Sequence, residues 1–228
     1  MDVACLCPTD TFDYSGIIEG IVRDRTPFDA SFSRFKPHDG GIPERLGWDA
    51  VVVTGSEHHV YDEQRWVKES RTFLRAVLRS EIPVLGICYG HQLLADTLGG
   101  AAEEMAEREM GYRQATLTDA GRDHPLFDGV DARFTSFFSH LDRVAEPPED
   151  AVVLAENGYG IQAFAVDALD AYGIQFHPEY SREMAEELLR EKEMDAAAKE
   201  AVRATFTDDN VAAARESRRV FDNFFGMV

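Results

Sequence analysis

Apolar and polar positions follow two different periods in the first hundred residues. Short, almost continuous apolar runs, typical of buried strands, alternate with longer stretches whose apolar residues recur at helical spacing. Strands are predicted at Val3–Cys7, near Phe28–Phe35, at Ala50–Thr54 and at Val84–Ile87, and helices at Ser15–Arg23, Glu63–Ser80 and His91–Leu98. Because strands alternate with helices, the sequence predicts an α/β fold with a mostly parallel, doubly wound sheet.

The pattern changes after residue 111 to short alternating runs, which favour antiparallel strands. These runs are Arg133–Ser139, Ala151–Ala155 and Ile161–Val166, and a further strand is predicted at Ala171–Phe176. Helical periodicity returns at Glu183–Ala198 and Asn210–Phe225. We therefore expect one α/β domain over residues 1–190, with an antiparallel extension of its sheet. Residues 191–228 are expected to form a helical C-terminal extension packed on the same domain, in preference to an arm that binds a partner.

One cysteine lies at an abrupt change from strand to helix. Cys88 stands between Gly86 and Gly90, after the apolar run and directly before a helical pattern. A nucleophile on such a turn has a strained backbone, and the flanking glycines let neighbouring chain approach closely. The positive end of the following helix favours a thiolate. Cys88 is thus a candidate nucleophile, although the motif alone fits a packing cysteine equally well.

A second motif supplies what a thiolate nucleophile requires. Such a nucleophile needs a base, and the base needs a carboxylate that orients it. His177 and Glu179 follow the last predicted strand and are separated by Pro178, which fixes the backbone and ends that strand. Active sites of open α/β sheets lie beyond the carboxyl ends of the strands, which is where Cys88 and His177 are predicted.

These motifs together resemble the class I glutamine amidotransferase family. The matching segments are VVVTGS at 51–56, GICYGHQLLA at 86–95 and QFHPEYS at 175–181, in the order of the family, and the resemblance covers roughly residues 1–190. It implies a flavodoxin-like class I glutaminase fold and a triad of Cys88 as nucleophile, His177 as acid and base, and Glu179 as orienting carboxylate.

The resemblance also implies an oxyanion hole and a substrate pocket. The backbone amide of Tyr89 would form one half of the hole, and the turn Gly55-Ser56 the other, with Ser56 where many members have a second glycine. Gln92 matches a position that contacts glutamine. The segment Ser139-His140-Leu141-Asp142 resembles the S-H-x-D segment that lines the glutamine pocket.

The implied reaction is hydrolysis of the glutamine γ-amide through a γ-glutamyl thioester, without metal or organic cofactor. Two interpretations stay open. The ammonia could pass to a separate ATP-dependent synthetase such as GMP synthase, which the segments at 124–130 and 139–142 favour. Alternatively, the chain could be a free-standing hydrolase of γ-glutamyl peptides or amides, since relatives resembling plant γ-glutamyl peptidases carry a similar helical extension. A catalytically silent binding protein is disfavoured because all three triad positions are intact.

Composition narrows the classes of partner. The formal net charge of −19 argues against direct nucleic-acid binding, and no local basic patch offsets it. Lys36, Lys68, Lys192 and Lys199 are the only lysines. An acidic, lysine-poor surface leads to the hypothesis of adaptation to high intracellular salt, which predicts loss of helical circular dichroism at low salt. The alternative is an ordinary acidic protein.

Cysteine, histidine and hydropathy patterns exclude several other kinds of site. Cys5 and Cys7 share one face of the first strand and are expected in the core, with neither a disulfide framework nor metal-ligand spacing. The adjacent His58 and His59 point apart on an extended loop, so no metal site is predicted. With no run of about 18 apolar residues and no basic amino-terminal signal, we expect a cytoplasmic protein without a membrane span.

Overall fold

The computed structural model describes residues 1–9, 14–25 and 31–228, and the strands of this part form one mixed sheet. In chain order the strands are β1 (Asp2–Leu6), β2 (Ser31–Phe35), β3 (Ala50–Val53), β4 (Val84–Ile87), β5 (Ala101–Leu117), β6 (Arg133–Glu146), β7 (Val152–Asn157), β8 (Gly160–Val166) and β9 (Ala171–Ile174). Across the sheet their order is β2-β1-β3-β4-β9-β8-β7-β5-β6.

Helices flank both the parallel and the antiparallel parts of this sheet. They are α1 (Tyr14–Arg25), α2 (Arg65–Arg79), α3 (Tyr89–Thr97), α4 (Asp119–Asp123), α5 (Arg182–Glu191), α6 (Ala196–Arg203), α7 (Asp208–Ala213) and α8 (Arg219–Met227). The amphipathic pattern that predicts α2 is confirmed, because its apolar positions at helical spacing are all buried: Trp66, Phe73, Leu74, Val77 and Leu78.

The sheet divides into a parallel half and an antiparallel half. Strands β2, β1, β3, β4 and β9 pair in parallel, whereas β9, β8, β7, β5 and β6 pair antiparallel. Strands β1, β3, β4 and β9 are buried and predominantly apolar, as parallel strands covered on both faces are, whereas the edge strand β2 is partly exposed. The predicted α/β class, with a parallel core and an antiparallel extension, is confirmed.

Several element boundaries differ from the predicted ones. Strand β5 was not among the predicted strands, because the charged residues of its first half do not alternate with apolar ones and its pairing with β6 shifts register between Glu104 and Glu109. Strand β6 continues past Ser139, so His140 lies within the strand and not at its end. Part of the predicted second strand, residues 28–30, lies outside the described residues.

The C-terminal segment contains more breaks than its periodicity indicates. Residues 183–198 form two helices, because Lys192 has an extended backbone and the side chain of Asp195 caps α6 through the amide of Ala198 at 2.7 Å. Residues 208–227 are likewise divided by a 3-10 turn. Phe221 and Phe224 are fully buried against the core beside β4 and β9.

Candidate active site

The turn between β4 and α3 has the strained geometry expected of a nucleophile elbow. Cys88 has φ 53° and ψ −103°, outside the usual regions for a residue with a side chain. Its amide donates to the Ile174 carbonyl of β9 at 2.8 Å. A Cβ on Gly86 would lie 2.5 Å from the Gly90 carbonyl carbon, and one on Gly90 would lie 2.8 Å from that of Val53. Both glycines therefore provide the clearance that the sequence predicts.

His177 and Glu179 form a buried pair beside the elbow. The His177 Nδ1 lies 2.7 Å from Glu179 Oε1, and the two residues are 3% and 2% exposed. The amide of His177 donates to the Phe137 carbonyl of β6 at 2.8 Å, which fixes the ring over the sheet edge. Burial alone would lower the pKa of His177, but the charges of Glu179 and Cys88 and the hydrogen bonds to both outweigh it and raise that pKa. These interactions favour the protonated form of the ring.

A cavity of about 140 Å³ opens onto the thiol. The Cys88 Sγ lies on its wall, 3.9 Å from the Ser139 carbonyl oxygen. Ser56 of the predicted oxyanion hole lines the same cavity, and so do all five residues predicted to bind substrate: Gln92, Ser139, His140, Leu141 and Asp142. The fold thus brings together side chains that are far apart in sequence, and it places the predicted substrate residues around the candidate nucleophile.

The two predicted oxyanion donors belong to elements that end at this cavity. Tyr89 is the first residue of α3, and amides of a first helical turn lack partners within the helix. Gly55 and Ser56 follow β3, and the Ser56 hydroxyl donates to the Pro8 carbonyl at 2.5 Å. The same hydroxyl accepts from the His58 amide at 3.1 Å, so two hydrogen bonds of the Ser56 side chain stabilise this turn. The roles of these amides stay predictions.

Gln92 and Asp142 hold the pocket wall through internal hydrogen bonds. The Gln92 Nε2 donates to the Asp142 carbonyl at 2.9 Å and to Gln175 Oε1 at 3.1 Å. The Asp142 carboxylate meets His59 Nδ1 at 2.6 Å and accepts from the Tyr61 hydroxyl at 3.2 Å. The His59 ring therefore contacts the carboxylate of Asp142, a residue of the pocket.

Behind the cavity, His140 belongs to a buried polar network that sequence analysis missed. Its Nε2 lies 2.8 Å from Glu109 Oε2, and its Nδ1 lies 2.8 Å from the Asp142 carbonyl. Asn157 and Gln162 also donate to the Glu109 carboxylate, at 2.7 and 3.4 Å. Both ring nitrogens of His140 therefore lie within hydrogen-bond distance of an oxygen. Glu109 is fully buried, yet in sequence it is one acid in a run of charged residues.

Among the described residues, His91 in the first turn of α3 has no carboxylate partner, unlike His140 and His177. The ring is fully buried, stands 4.9 Å from the Phe164 ring and abuts the backbone of Gly173 without a hydrogen bond of normal geometry. Burial lowers its pKa to about 3, the nearby charge of His140 adds to that effect, and the Gly173 backbone opposes it. His91 is therefore neutral at physiological pH.

The C-terminal segment contacts the turn that carries the His-Glu pair. The Arg218 Nε donates to the Pro178 carbonyl at 3.1 Å, and its Nη2 donates to the Tyr180 carbonyl at 3.3 Å. The buried Ser217 hydroxyl lies 3.0 Å from that of Ser136 on β6. These contacts fix the backbone on both sides of the candidate triad carboxylate.

A larger cavity lies on the far side of the histidine ring. Its volume is about 680 Å³, and its walls include His177, Tyr180, Arg182 and Arg215, with Val211 of α7. Arg182 is paired with Asp208 at 2.7 Å. This cavity does not contain the thiol, so the smaller cavity is the candidate reaction site.

Other candidate chemistry is absent from the part of the chain that the structure describes. No group of three or more histidine, cysteine or acidic side chains there could hold a metal ion. The His58 ring packs 5.2 Å from the Trp66 ring, and Cys5 and Cys7 are buried without a disulfide. Among the described helices, none has the length and apolar character needed to cross a bilayer.

Comparisons with known proteins identify relatives by sequence. The chain is 37% identical over 131 residues to a glutamine-hydrolysing GMP synthase of Clostridium kluyveri, which covers 57% of this chain and 24% of that protein. It is 35% identical over 173 residues to the corresponding enzyme of Thermomicrobium roseum, covering 73% of this chain and 29% of that protein. The chain thus spans about a quarter of the length of these relatives.

Solved structures share the fold. A glutamine amidotransferase from Thermotoga maritima superposes with a TM-score of 0.78 at 22% identity, covering 97% of both chains. One from Methylobacillus flagellatus has a TM-score of 0.80 at 20% identity, covering 99% of this chain and 94% of that one.

A protein-family model is more decisive than either comparison, because it matches most of the chain. The model for glutamine amidotransferase class-I matches residues 14–196, a range that includes the elbow and the His-Glu pair. The chain therefore belongs to the class I glutamine amidotransferase family.

Proposed function

We propose that this chain hydrolyses the γ-amide of glutamine through a γ-glutamyl thioester on Cys88. The observation that carries the proposal is the buried His177–Glu179 pair, 2.7 Å apart, beside a thiol at a strained elbow that opens into a cavity. This combination supplies a nucleophile, a proton donor and an orienting carboxylate within one site.

In the first half of the reaction, the Cys88 thiolate attacks the side-chain carbonyl carbon of glutamine. A carbon–sulfur bond forms, and the carbonyl electrons move to oxygen, where the amides of Tyr89 and the Gly55-Ser56 turn would stabilise the charge. The raised pKa of His177 keeps a proton on its ring for the departing nitrogen. Collapse of the tetrahedral intermediate breaks the carbon–nitrogen bond and releases ammonia.

The second half returns the enzyme to its starting state. His177, now neutral, removes a proton from water, and the resulting hydroxide attacks the thioester carbon. The carbon–sulfur bond breaks, glutamate leaves, and the thiolate and imidazolium are restored. Glu179 holds the ring orientation through both halves and has a negative charge that favours the imidazolium. These steps need no metal or organic cofactor.

One residue that lines the cavity has an unpaired polar group. Among the described residues, the buried Ser139 hydroxyl has no hydrogen-bond partner, and its residue lines the cavity. An unpaired buried hydroxyl costs stability unless a ligand satisfies it. Delivery of the ammonia to an ATP-dependent synthetase is proposed from the relatives named GMP synthase.

The test measures ammonia and glutamate release from glutamine, with γ-glutamyl dipeptides as a second substrate set. Cys88→Ala is expected to abolish release, while Cys7→Ala, a second buried cysteine, serves as the matched control. Glutaminase activity retained by Cys88→Ala would contradict the nucleophile assignment. Turnover of γ-glutamyl dipeptides in preference to glutamine would instead favour the free-standing hydrolase, and strong activation by an added synthetase would favour the amidotransferase subunit.

A further inference from the structure

Two cations line the candidate reaction cavity beside the thiol. Arg108 lies at the irregular part of β5, and Lys192 immediately follows α5, so 84 residues of sequence separate them. Both side chains are partly buried, and both face the cavity that contains Cys88. Neither residue belongs to a motif of the family resemblance. Their convergence is therefore a product of the tertiary fold.

Neither cation has an anionic partner in the part of the chain that the structure describes. No carboxylate there lies within 4.0 Å of either side chain, although the chain contains 42 acidic residues. Some other arginines do form ion pairs, such as Arg143 with Glu103 and Arg182 with Glu186 and Asp208. Arg108 and Lys192 thus face the cavity without a direct ion pair, although Glu57 and Asp142 also line it.

The electrostatics of this pair are unfavourable in the absence of a ligand. Burial and the charge of Arg108 lower the pKa of Lys192, while the charges of Cys88 and Glu57 oppose this effect without cancelling it. An anion between the two side chains would relieve the repulsion, since opposite charges favour the protonated amine. Partial burial would also strengthen such a contact relative to one on the open surface.

We propose that Arg108 and Lys192 bind the α-carboxylate of the γ-glutamyl substrate. The proposal rests on the proposed function, because it places the reacting carbonyl at Cys88. The α-carboxylate is the only anionic group of glutamine, and the cavity of about 140 Å³ brings the thiol and both cations to one small enclosure. Lys192 thereby makes the segment after residue 190 a determinant of substrate specificity.

The test compares two reagents that alkylate the same sulfur. A diazoketone analogue of glutamine has the α-carboxylate, whereas iodoacetamide does not. Arg108→Met and Lys192→Met each remove a charge but keep an apolar stem. Each is expected to slow labelling of Cys88 by the glutamine analogue about tenfold, the value of one charge-assisted hydrogen bond, and to leave iodoacetamide labelling within about twofold. Lys199→Met, which lies on α6 away from the cavity, is the matched control.

A substrate that lacks the α-carboxylate provides a second test of the same contact. The wild-type chain is expected to prefer glutamine over 4-aminobutanamide, and the Arg108→Met and Lys192→Met variants are expected to lose most of this preference. Equal labelling rates by the glutamine analogue in wild type and both variants would overturn the proposal while leaving the proposed function intact. Wild-type Cys88 that neither reacts with the analogue nor releases ammonia would overturn both.

Discussion

The buried histidine of the elbow helix makes the stability of this protein depend on pH. His91 is fully buried with a pKa lowered to about 3, whereas an unfolded chain has a histidine pKa of about 6.5. The unfolded state therefore binds a proton below pH 6.5 that the folded state rejects. His91 leaves stability intact above pH 6.5 and reduces it progressively as pH falls toward 3, by about 1.4 kcal/mol between pH 7.5 and 5.5.

Substitution by leucine isolates this contribution. His91→Leu keeps an apolar group of similar size against the Phe164 ring and removes the titrating group. Urea unfolding of both proteins at pH 7.5 and 5.5 gives four free energies of unfolding. The wild type is expected to lose about 1.4 kcal/mol more than the variant over this interval, because all other titrating groups are common to both. Parallel losses in the two proteins would refute a depressed histidine pKa at this position.

Three other substitutions test the packing and positioning around the site. Gly90→Ala is expected to lower the free energy of unfolding in urea by at least about 2 kcal/mol, since its Cβ would overlap backbone, whereas Gly158→Ala, with open space around it, should change little. Arg218→Met is expected to reduce kcat for glutamine about tenfold by releasing the carbonyls that flank the triad carboxylate. Arg215→Met, an exposed neighbour, should leave kcat unchanged, and equal kcat values in the two variants would contradict the positioning role. Glu109→Gln replaces a buried carboxylate that His140, Asn157 and Gln162 contact, so we expect a loss of about 3 kcal/mol in urea unfolding and a raised KM. An unfolding free energy equal to that of the wild type would argue against a stabilising role for this carboxylate.

The elbow could be predicted from sequence because its physical requirements are local. A tight strand-to-helix turn needs small residues at fixed positions, and Gly86 and Gly90 stand at those positions around Cys88. The same holds for the buried face of α2, which depends only on helical spacing. Features of this kind are determined within a few residues, so a single sequence suffices to predict them.

The missed features depend on contacts between distant segments. Half of the residues in 101–110 of β5 are charged, and only the pairing with β6 makes this segment a strand. Glu109 has the same residue type as its exposed neighbours, and nothing in the sequence indicates that it is buried against His140. The break at Lys192 has a local signal in the capping residue Asp195, but the continuous helical pattern around it conceals that signal. Features set by a few neighbouring residues could therefore be predicted, whereas the burial of single polar residues and the register of strands could not.

The net charge of the whole chain repels an anionic substrate group, whereas the two cations of the proposed site attract it. A net charge of −19 repels a carboxylate at long range, and salt screens that repulsion beyond a Debye length of about 8 Å at physiological ionic strength. Direct contact with Arg108 and Lys192 in a partly buried cavity is screened much less. Glutamine has an α-ammonium as well as an α-carboxylate and is neutral overall, so added salt should change its approach little and spare most of its binding contacts. Two partly buried cations that bind a carboxylate at short range are thus compatible with an acidic surface.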